Sequence, residues 1–412
     1  MKFSQYNIPQ ELKENLEQLG FRKPTDIQYK SIPHILRGED LLAISQTGTG
    51  KTAAFAIPII AMLHDRKMKT TRKDGIKCIV MVPTRELALQ IYKVFESLAK
   101  GTKVRVATIF GGVEQEAQIR DIKKGLDVLI TTPGRMFDLE YQGHLLLHRV
   151  EILVLDEADH MLELGFIKDI RDVIRKLPKM RQTLFFSATI DNKIKKLAYS
   201  LIRSNAIRIQ ISPKNPVNRN INHAIVHIKM DDKRFFLERL ILENEGKKIL
   251  VFVRTKIRAE RVKKALERVG LVSETIHGDK DQLDRFAVMD RFRKGTNKIL
   301  IATDVSARGI DIPSVDYVVN YDLPEEAEQY VHRVGRTGRG KRKGEAVSFC
   351  APEEEKLLSA IEKYIGMPID KLEIEYGDYQ DTIAFSKDTD FNVMRVIEEA
   401  EAKKKNRRKK KN

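Results

Sequence analysis

The sequence predicts an α/β protein made of two tandem domains, each a mostly parallel sheet with helices on both faces. Short β-branched runs alternate with longer stretches of helical periodicity, which is the pattern of parallel strands joined by crossover helices. This pattern occurs twice along the 412 residues, a length that accommodates two domains. A stretch rich in Pro, Asn and Ser, residues 211–222, interrupts the periodicity between the two series, as a linker does.

The first domain is expected over residues 1–208. Short apolar runs predict its strands at 40–45, 77–82, 104–109, 127–131, 151–155 and 183–187. Helical periodicity fills the intervals, most clearly at 86–99. A linker is expected at 209–219.

The second domain is expected over residues 220–370. Its predicted strands are 221–229, 248–253, 272–275, 298–302, 317–320 and 346–350, with helices at 258–269, 282–292 and 325–334. Residues 371–412 form an extension with too little alternating signal for a third domain, although 388–402 shows weak helical periodicity. Two such domains joined by a short linker predict a cleft between them.

Composition and charge narrow the class of protein. Apolar residues make up 42% and charged residues 32%, which is typical of globular proteins and excludes a chain disordered throughout. The net charge of +17 indicates a polyanionic partner, either nucleic acid or an anionic membrane. By segment the excess is +10 in 1–208, +5 in 209–370 and +2 in 371–412, so it belongs mainly to the two domains and disfavours a membrane anchor.

Targeting and redox signals are weak. No run approaches the roughly 20 apolar residues that a membrane span needs, and the amino terminus lacks the apolar core of a signal peptide, so a cytoplasmic protein is expected. The two cysteines, Cys78 and Cys350, are too few for a disulfide framework or a Cys-ligated zinc site. Both are expected to be buried apolar side chains in a reducing compartment.

The segment SQTGTGKT ends a predicted strand and begins a helix, which is the context of a phosphate-binding loop. Gly48 and Gly50 would let backbone N–H groups approach phosphate oxygens, Lys51 would reach the β and γ phosphates, and Thr52 would offer its hydroxyl to Mg²⁺. Ser45 stands where the full motif has its first Gly, and Gln46 follows it. A glycine-rich turn that binds nothing is the alternative interpretation.

The run EILVLDEAD supplies carboxylates at the end of another strand, where α/β sheets place ligands. Asp156 would hold Mg²⁺ and Glu157 would orient and deprotonate an attacking water. An acidic turn that caps a helix is the alternative. Together with the phosphate-binding loop, this run favours nucleotide hydrolysis.

The segment HRVGRTGR, in the second domain, begins with His332 and carries Arg336 and Arg339 near the end of a predicted helix. Phosphoryl transfer needs positive charge on the γ phosphate, and these arginines would supply it if the two domains close on each other. A solvated basic helix end is the alternative.

From residue 3 to about residue 369 the chain resembles the DEAD-box RNA helicases, whose tetrapeptide stands at 156–159. The other motifs, in chain order, are GFRKPTDIQ, SQTGTGKT, PTRELA, GG, TPGR, SAT, VFVRT, HGD with QLDR, TDVSARGID and HRVGRTGR. Their order and spacing carry the resemblance.

The resemblance implies two RecA-like domains that bind ATP in the cleft, together with Mg²⁺. The charge pattern at the chain end separately predicts a basic disordered C-terminal tail. The resemblance assigns nucleotide binding to Phe21, Gln28, Gln46, Thr47, Gly48, Thr49, Gly50, Lys51, Thr52 and Asp311. It assigns catalysis to Lys51, Asp156, Glu157, His332, Arg336 and Arg339, the metal to Thr52 and Asp156, and coupling of hydrolysis to unwinding to Ser187, Thr189 and Asp159. Within this set Phe21 stacks on adenine, Asp311 holds the ribose, and the Gln28 amide, which both donates and accepts, pairs with the adenine edge.

The resemblance also implies RNA binding across the opposite edge of both domains. The residues assigned to it are Arg85, Gly111, Gly112, Thr132, Arg135, Arg254, Gly278, Arg285 and Thr303. Such groups contact phosphate and sugar, so single-stranded and duplex RNA should bind with little sequence preference. Trp is absent and aromatic residues are only 7%, which argues against a base-stacking platform.

The expected function is an RNA-dependent ATPase that unwinds short RNA duplexes locally or remodels ribonucleoprotein. An ATP-gated RNA clamp with little unwinding uses the same residues and remains the alternative. The phrases VEILVLDEADHML and GFIKDI most resemble the bacterial RhlE-type subgroup, whose processes are ribosome assembly and RNA decay. A monomer is expected.

The chain ends with eight positive charges in the nine residues 403–411. This tail is interpreted as an RNA-anchoring arm, a nuclear-localisation-like patch or a solubilising end. The anchoring arm is a hypothesis in which the tail raises RNA affinity without acting in catalysis.

Overall fold

A computed structural model describes residues 2–46, 48–69, 75–190, 192–211, 217, 220–304, 315–338 and 343–386. The described residues up to 211 form one compact unit, and those from 217 onward form a second. Within these ranges, none of the helices combines the length and apolar composition required to cross a lipid bilayer.

The first unit is built on a seven-stranded parallel sheet with the order β3-β4-β2-β5-β6-β1-β7. Its strands are β1 Leu41–Ser45, β2 Cys78–Met81, β3 Val106–Ile109, β4 Val128–Thr131, β5 Ile152–Leu155, β6 Gln182–Ser187 and β7 Ile207–Ile211. Its helices are α1 Gln10–Gln18, α2 Asp26–Leu36, α3 Lys51–Lys69, α4 Arg85–Ala99, α5 Gln115–Lys123, α6 Pro133–Tyr141, α7 Ala158–Glu163, α8 Ile167–Lys176 and α9 Asn192–Leu201.

Both faces of this sheet are covered, which explains why its central strands are almost wholly apolar. Every residue of β2, β4 and β5 is buried. Neighbouring residues of β6 point to opposite faces, as strand geometry requires. Phe185 joins the core that contains Met136 of α6 and Val173 of α8, whereas Phe186 packs against Phe55 of α3 with ring centroids 5.1 Å apart.

The second unit repeats the topology. Its strands are β8 Ile221–His227, β9 Ile249–Phe252, β10 Glu274–Ile276, β11 Ile299–Ala302, β12 Tyr317–Asn320, β13 Gly344–Cys350 and β14 Asp370–Leu372. Its helices are α10 Lys233–Glu243, α11 Lys256–Arg268, α12 Gln282–Lys294, α13 Ala327–Val334, α14 Glu355–Ile365 and α15 Tyr376–Ala384. The parallel order is β10-β11-β9-β12-β13-β8-β14, the same as in the first sheet when strands are counted from the start of each unit. The predicted fold class, two parallel-sheet α/β domains, is confirmed.

Two strands were not predicted, and both lie at sheet edges. Strand β7 pairs with β1 and continues into the segment expected to be linker. Strand β14 pairs with β8, and α15 packs against α10, where the ring centroids of Tyr379 and Phe236 are 4.8 Å apart. The start of the expected extension therefore belongs to the second unit. Edge strands bury only one side, and β14 is exposed along its three residues, so neither leaves a strong apolar run. The predicted helix at 388–402 and the basic tail at 403–411 lie outside the described residues.

Candidate functional site

In the first unit, the predicted ligand residues other than the adenine-binding Phe21 and Gln28, which precede β1, follow the carboxyl ends of strands and form two groups along the sheet. Those predicted to bind RNA follow β2, β3 and β4, which are neighbours at one side of the sheet. Those predicted to bind the phosphates, hydrolyse ATP or couple hydrolysis to unwinding follow β1, β5 and β6, which are neighbours farther along. The two groups therefore share the carboxyl-terminal edge of the first sheet and meet between β2 and β5, where adjacent strands lie about 4.8 Å apart. The residues assigned to RNA in this unit do not lie at the edge opposite to the ATP residues, where they were expected.

The second sheet has the same division. Arg254 follows β9, Gly278 and Arg285 follow β10, and Thr303 follows β11, the three neighbouring strands at one side. His332 lies in α13, which follows β12, the next strand of the sheet. Arg336 is buried just beyond that helix. Thr47, Asp311 and Arg339 lie outside the described residues.

The loop after β1 is held together by its own side chains. Lys51, buried at the start of α3, donates from Nζ to the Ser45 carbonyl at 2.7 Å. The Thr49 hydroxyl donates to the Gln46 carbonyl at 2.8 Å and lies 2.7 Å from the Ser45 hydroxyl. Thr52, the second residue of α3, is half-buried.

Gly50 is required where the loop meets α2. Its φ is +93°, and a Cβ there would lie 2.4 Å from Gln28 Nε2. Gly48 also has positive φ, +80°, but has no atom within 4 Å of an added Cβ. The Gly50 carbonyl accepts a hydrogen bond from Gln28 Nε2 at 3.1 Å. Since Gln28 Oε1 also accepts from Thr25 N at 3.0 Å, the amide joins the start of α2 to the phosphate-binding loop.

The predicted adenine-stacking residue, Phe21, lies in the turn after α1 and is half-buried. Its ring packs edge to face against Phe3, with centroids 6.1 Å apart. Phe3 is itself buried, so the aromatic pair supports the Phe21 ring from below the surface.

Asp156 directly follows the buried strand β5 and is only 3% exposed. Burial raises its pKa to about 7, the Lys51 ammonium opposes that rise, and the carboxylates of Glu157 and Asp159 add to it. Its Oδ1 accepts from the Glu157 backbone N–H at 3.0 Å. The charged form of the Asp156 carboxylate is therefore favoured only when a cation lies nearby. Mg²⁺ is a suitable cation, because it prefers oxygen ligands such as the Asp156 carboxylate and the Thr52 hydroxyl.

Glu157 has a strained backbone. Its φ of 52° and ψ of 48° are left-handed, and among the described residues it is the one non-glycine with positive φ. Such strain is concentrated at functional sites. Its carboxylate Oε2 lies 3.6 Å from Nδ1 of the buried His160, three residues along α7. His160 was not singled out from the sequence, although its i, i+3 spacing from Glu157 was a usable signal.

Asp159 joins strand β5 to strand β6. Its Oδ2 accepts from the backbone N–H groups of Ala188 and Thr189 at 3.0 and 3.1 Å and from the Thr189 hydroxyl at 3.2 Å. Ser187 is fully buried, and its hydroxyl accepts from Thr189 N at 3.4 Å. The three residues predicted to couple hydrolysis to unwinding are therefore brought together.

The RNA group of the first unit is organised by Arg85, whose guanidinium lies against two glycines. A Cβ at Gly112 would lie 2.1 Å from Arg85 Nη1, and one at Gly111 would lie 3.3 Å from Nη2. Arg135 donates from Nη2 to the Val113 carbonyl at 3.1 Å, which brings it to the same loop. Thr132, which immediately precedes α6 and lies three residues before Arg135, is half-buried. Two guanidinium groups and glycine backbone thus form a cationic surface suited to phosphates.

The second unit contains a buried ionic cluster that the sequence did not reveal. Arg254 donates from Nη2 to Glu354 at 2.9 Å and to the Leu323 carbonyl at 3.2 Å. Glu354, 2% exposed, also accepts from the fully buried ammonium of Lys233. No local pattern marks these partners, because Lys233 and Glu354 are 121 residues apart.

Arg333 lies within the HRVGRTGR segment but points into the second unit. It makes two hydrogen bonds of 2.6 Å to the carboxylate of Asp304, which follows Thr303 at the end of β11. Its Nη1 donates to the Asp322 carbonyl at 2.7 Å. Arg333 is 2% exposed, so it is structural, in contrast to the ligand-binding roles predicted for His332 and Arg336.

Two protein-family models match the chain, one in each of the two units. The DEAD/DEAH box helicase family model matches residues 25–197, and the helicase conserved C-terminal domain model matches residues 232–341. The ATP-dependent RNA helicase DbpA of Bacillus subtilis is 38% identical over 371 residues, which are 90% of this chain and 76% of the relative. The ATP-dependent RNA helicase CshA of Listeria monocytogenes is 40% identical over 362 residues, 88% of this chain and 68% of the relative.

Solved structures are similar over most of the chain. S. cerevisiae Dbp5 bound to RNA and ADP BeF3 has a TM-score of 0.81 and 32% identity, and the match covers 93% of this chain and 99% of Dbp5. The DEAD-box helicase Mss116 bound to ssRNA and UDP-BeF has a TM-score of 0.81 and 28% identity, and the match covers 93% of this chain and 81% of Mss116.

Proposed function

The chain belongs to the DEAD-box family of ATP-dependent RNA helicases, and from that premise we propose that ATP and RNA bind on the two neighbouring parts of the strand edge described above. The observation that carries the proposal is the division of the first sheet between β5 and β2. The residues proposed to bind the ATP phosphates and hydrolyse ATP lie on one side of that division. The cations proposed to contact RNA phosphates lie on the other side. The protein couples ATP hydrolysis to RNA binding and to local, non-processive unwinding of short duplexes.

The loop after β1 supplies the phosphate contacts in this proposal. Lys51 exchanges its hydrogen bond to the Ser45 carbonyl for a phosphate oxygen when ATP binds. Thr52 and Asp156 would hold Mg²⁺, which would offset the negative charge of the phosphates. Gln28 pairs with the adenine edge through the amide N–H and lone pair that Gly50 and Thr25 do not use.

Glu157 is proposed as the general base, because it follows Asp156 directly and remains partly exposed, at 17% of its side chain. It would orient the attacking water and take its proton. On the family resemblance, His332, Arg336 and Arg339 act on the γ phosphate and Asp311 binds the ribose. Replacing Arg336 with alanine should lower RNA-stimulated turnover by about 10³-fold, the scale of a lost arginine finger.

RNA binds through backbone contacts in this proposal. Arg85 and Arg135 in the first unit and Arg254 and Arg285 in the second supply positive charge to phosphates, so RNA affinity should fall steeply with salt and vary little with sequence. Asp159 links the turn that contains Glu157 to Thr189, which follows β6, and this link supports the proposed coupling of hydrolysis to unwinding.

We also infer the subgroup, the cellular location, the oligomeric state and the process that the protein serves. The phrases around the DEAD tetrapeptide support the bacterial RhlE-type subgroup. A cytoplasmic monomer that serves ribosome assembly or RNA decay is consistent with the family and with the net charge of +17. Gel filtration of the pure protein and identification of RNA bound in cells test the oligomeric state and the process.

The decisive experiment measures ATP turnover with RNA, with DNA of the same length and with neither. Strong stimulation by RNA alone supports the proposal, whereas equal stimulation by DNA or a nucleic-acid-independent rate contradicts it. Glu157→Gln should abolish turnover while leaving ATP and RNA binding close to wild type. Glu163→Gln, the same chemical change at the end of α7, is the control and should turn over normally.

A further inference from the structure

Glu354 lies outside every motif identified in the sequence, yet both of its carboxylate oxygens are fully engaged in the core of the second unit. Oε1 accepts from Arg254 Nη2 at 2.9 Å and from Leu323 N at 3.1 Å. Oε2 accepts from Ala351 N at 3.1 Å and from Lys233 Nζ. With four donors and 2% exposure, this carboxylate has one fixed orientation.

The charges in this cluster are balanced unequally. Lys233 is 0% exposed, and its Nζ donates to the Tyr321 carbonyl at 2.8 Å and lies 4.0 Å from Asp322 Oδ1, so its charge faces Glu354, Asp322 and the protein interior. Burial lowers the Lys233 pKa, and the charge of Glu354 opposes that shift. The negative charge of Glu354 is therefore largely cancelled inside the unit. The Arg254 side chain is 35% exposed, and its Nε also lies 3.8 Å from a carboxylate oxygen of Glu325, whose side chain is 73% exposed. Because solvent screens that exposed pair, the positive charge of Arg254 remains available to an outside anion.

Arg254 is held at both of its ends. Its backbone N–H donates to Asp322 Oδ2 at 3.0 Å, while Asp322 Oδ1 lies 3.2 Å from Arg258 Nε. Its guanidinium is fixed by the Leu323 carbonyl and by Glu354. A long side chain that is held in this way loses little conformational freedom when it meets a phosphate.

We propose that Glu354 is a positioning residue for RNA binding. It orients the Arg254 guanidinium at the end of β9 toward the RNA backbone, while Lys233 cancels the charge of Glu354 so that Arg254 keeps its attraction for phosphate. The inference rests on the proposed function, because it takes Arg254 as an RNA contact.

Orientation and electrostatics predict opposite effects for Glu354→Gln. Removing a negative charge 2.9 Å from Arg254 would strengthen phosphate binding if only charge mattered. If orientation matters more, RNA binding weakens. We expect the RNA concentration for half-maximal ATPase to rise about tenfold, the scale of one lost charge-assisted hydrogen bond. ATP affinity and turnover at saturating RNA should stay near wild type.

Glu353→Gln is the matched control, because Glu353 is the adjacent, exposed residue and undergoes the same change in charge. It should leave the half-saturating RNA concentration unchanged. Arg254→Lys tests orientation without altering the buried carboxylate, since lysine keeps the charge but lacks the planar fork. It should weaken RNA binding to a similar degree, and a wild-type RNA dependence in this variant would overturn the inference.

A double-mutant cycle separates positioning from a general structural role. Glu354→Gln should cause no further loss when Arg254 is already alanine. A further tenfold loss in that background, or tighter RNA binding by Glu354→Gln alone, would show that Glu354 does not act through Arg254. If Arg254→Ala by itself leaves the RNA dependence unchanged, it is the assignment of Arg254 to RNA that fails, and the two failures are thereby distinguished.

Discussion

Asp159 and Thr189 are joined twice, through the Thr189 backbone N–H at 3.1 Å and its hydroxyl at 3.2 Å, both to Asp159 Oδ2. The first residue follows β5 and the second follows β6, so this carboxylate ties the predicted hydrolytic turn to the neighbouring strand. We therefore expect these two hydrogen bonds to transmit a movement of one turn to the other.

Thr189→Val removes the hydroxyl donor and keeps the shape of the side chain. The backbone N–H bond to Asp159 remains, so the cost in stability should be only about 1 kcal/mol. We expect RNA-stimulated ATP turnover to persist while the number of duplexes unwound per ATP falls several-fold. Parallel ATPase and strand-displacement assays measure this ratio, and an unchanged ratio would count against the coupling role.

Glu157→Gly should stabilise the nucleotide-free protein while abolishing turnover. A left-handed conformation costs a non-glycine residue about 1–2 kcal/mol in the folded state. Glycine increases the entropy of the unfolded chain, which costs roughly 0.5–1 kcal/mol, so the net free energy of unfolding should rise. The thermal unfolding midpoint should rise. Glu163→Gly is the control: it places glycine at a helical position of α7 and should lower the midpoint. A lower midpoint for both variants would show that Glu157 is not strained.

Asp156 predicts a pH dependence of stability. Its pKa is raised from 3.8 to about 7, so between those pH values the folded protein holds a proton that the unfolded chain releases. Stability without nucleotide or Mg²⁺ should therefore fall as pH rises from 4 to 7. Asp156→Asn removes this effect, and relative to wild type it should be more stable at pH 8, by on the order of a few kcal/mol, with a much smaller difference near pH 4. Denaturant unfolding at the two pH values checks this, and an equal difference at both contradicts it.

Gly112→Ala should weaken RNA binding without altering ATP binding. The new Cβ would lie 2.1 Å from Arg85 Nη1, so the guanidinium must move. Gly143→Ala is a close control, because both glycines have a φ of +76° but nothing lies within 4 Å of a Cβ at Gly143. Both variants should lose similar stability, about 1 kcal/mol, from the backbone conformation. RNA titrations should show that RNA affinity falls several-fold for Gly112→Ala alone. Equal RNA affinity in the two variants would show that Arg85 does not contribute to RNA binding.

Much of the site was predictable because its signals are local. Glycines and a lysine between a strand and a helix identify a phosphate-binding loop, and an apolar run that ends in Asp156 and Glu157 identifies a strand carboxyl end. The burial of Arg333 was not predictable in the same way, since it lies in a segment whose other cations were predicted to meet ligand. Its Asp304 partner is 29 residues away.

The sequence by itself determined the two α/β domains, the buried central strands and the chemical identity of the ATP and RNA groups, because run length, turn residues and motif order are properties of neighbouring residues. Only the tertiary structure decided the shared strand order, the edge strands β7 and β14, and the pairing of Lys233 and Arg254 with Glu354. Strand order is fixed by how crossovers pack the sheet, and contacts across that order join residues that no local pattern connects.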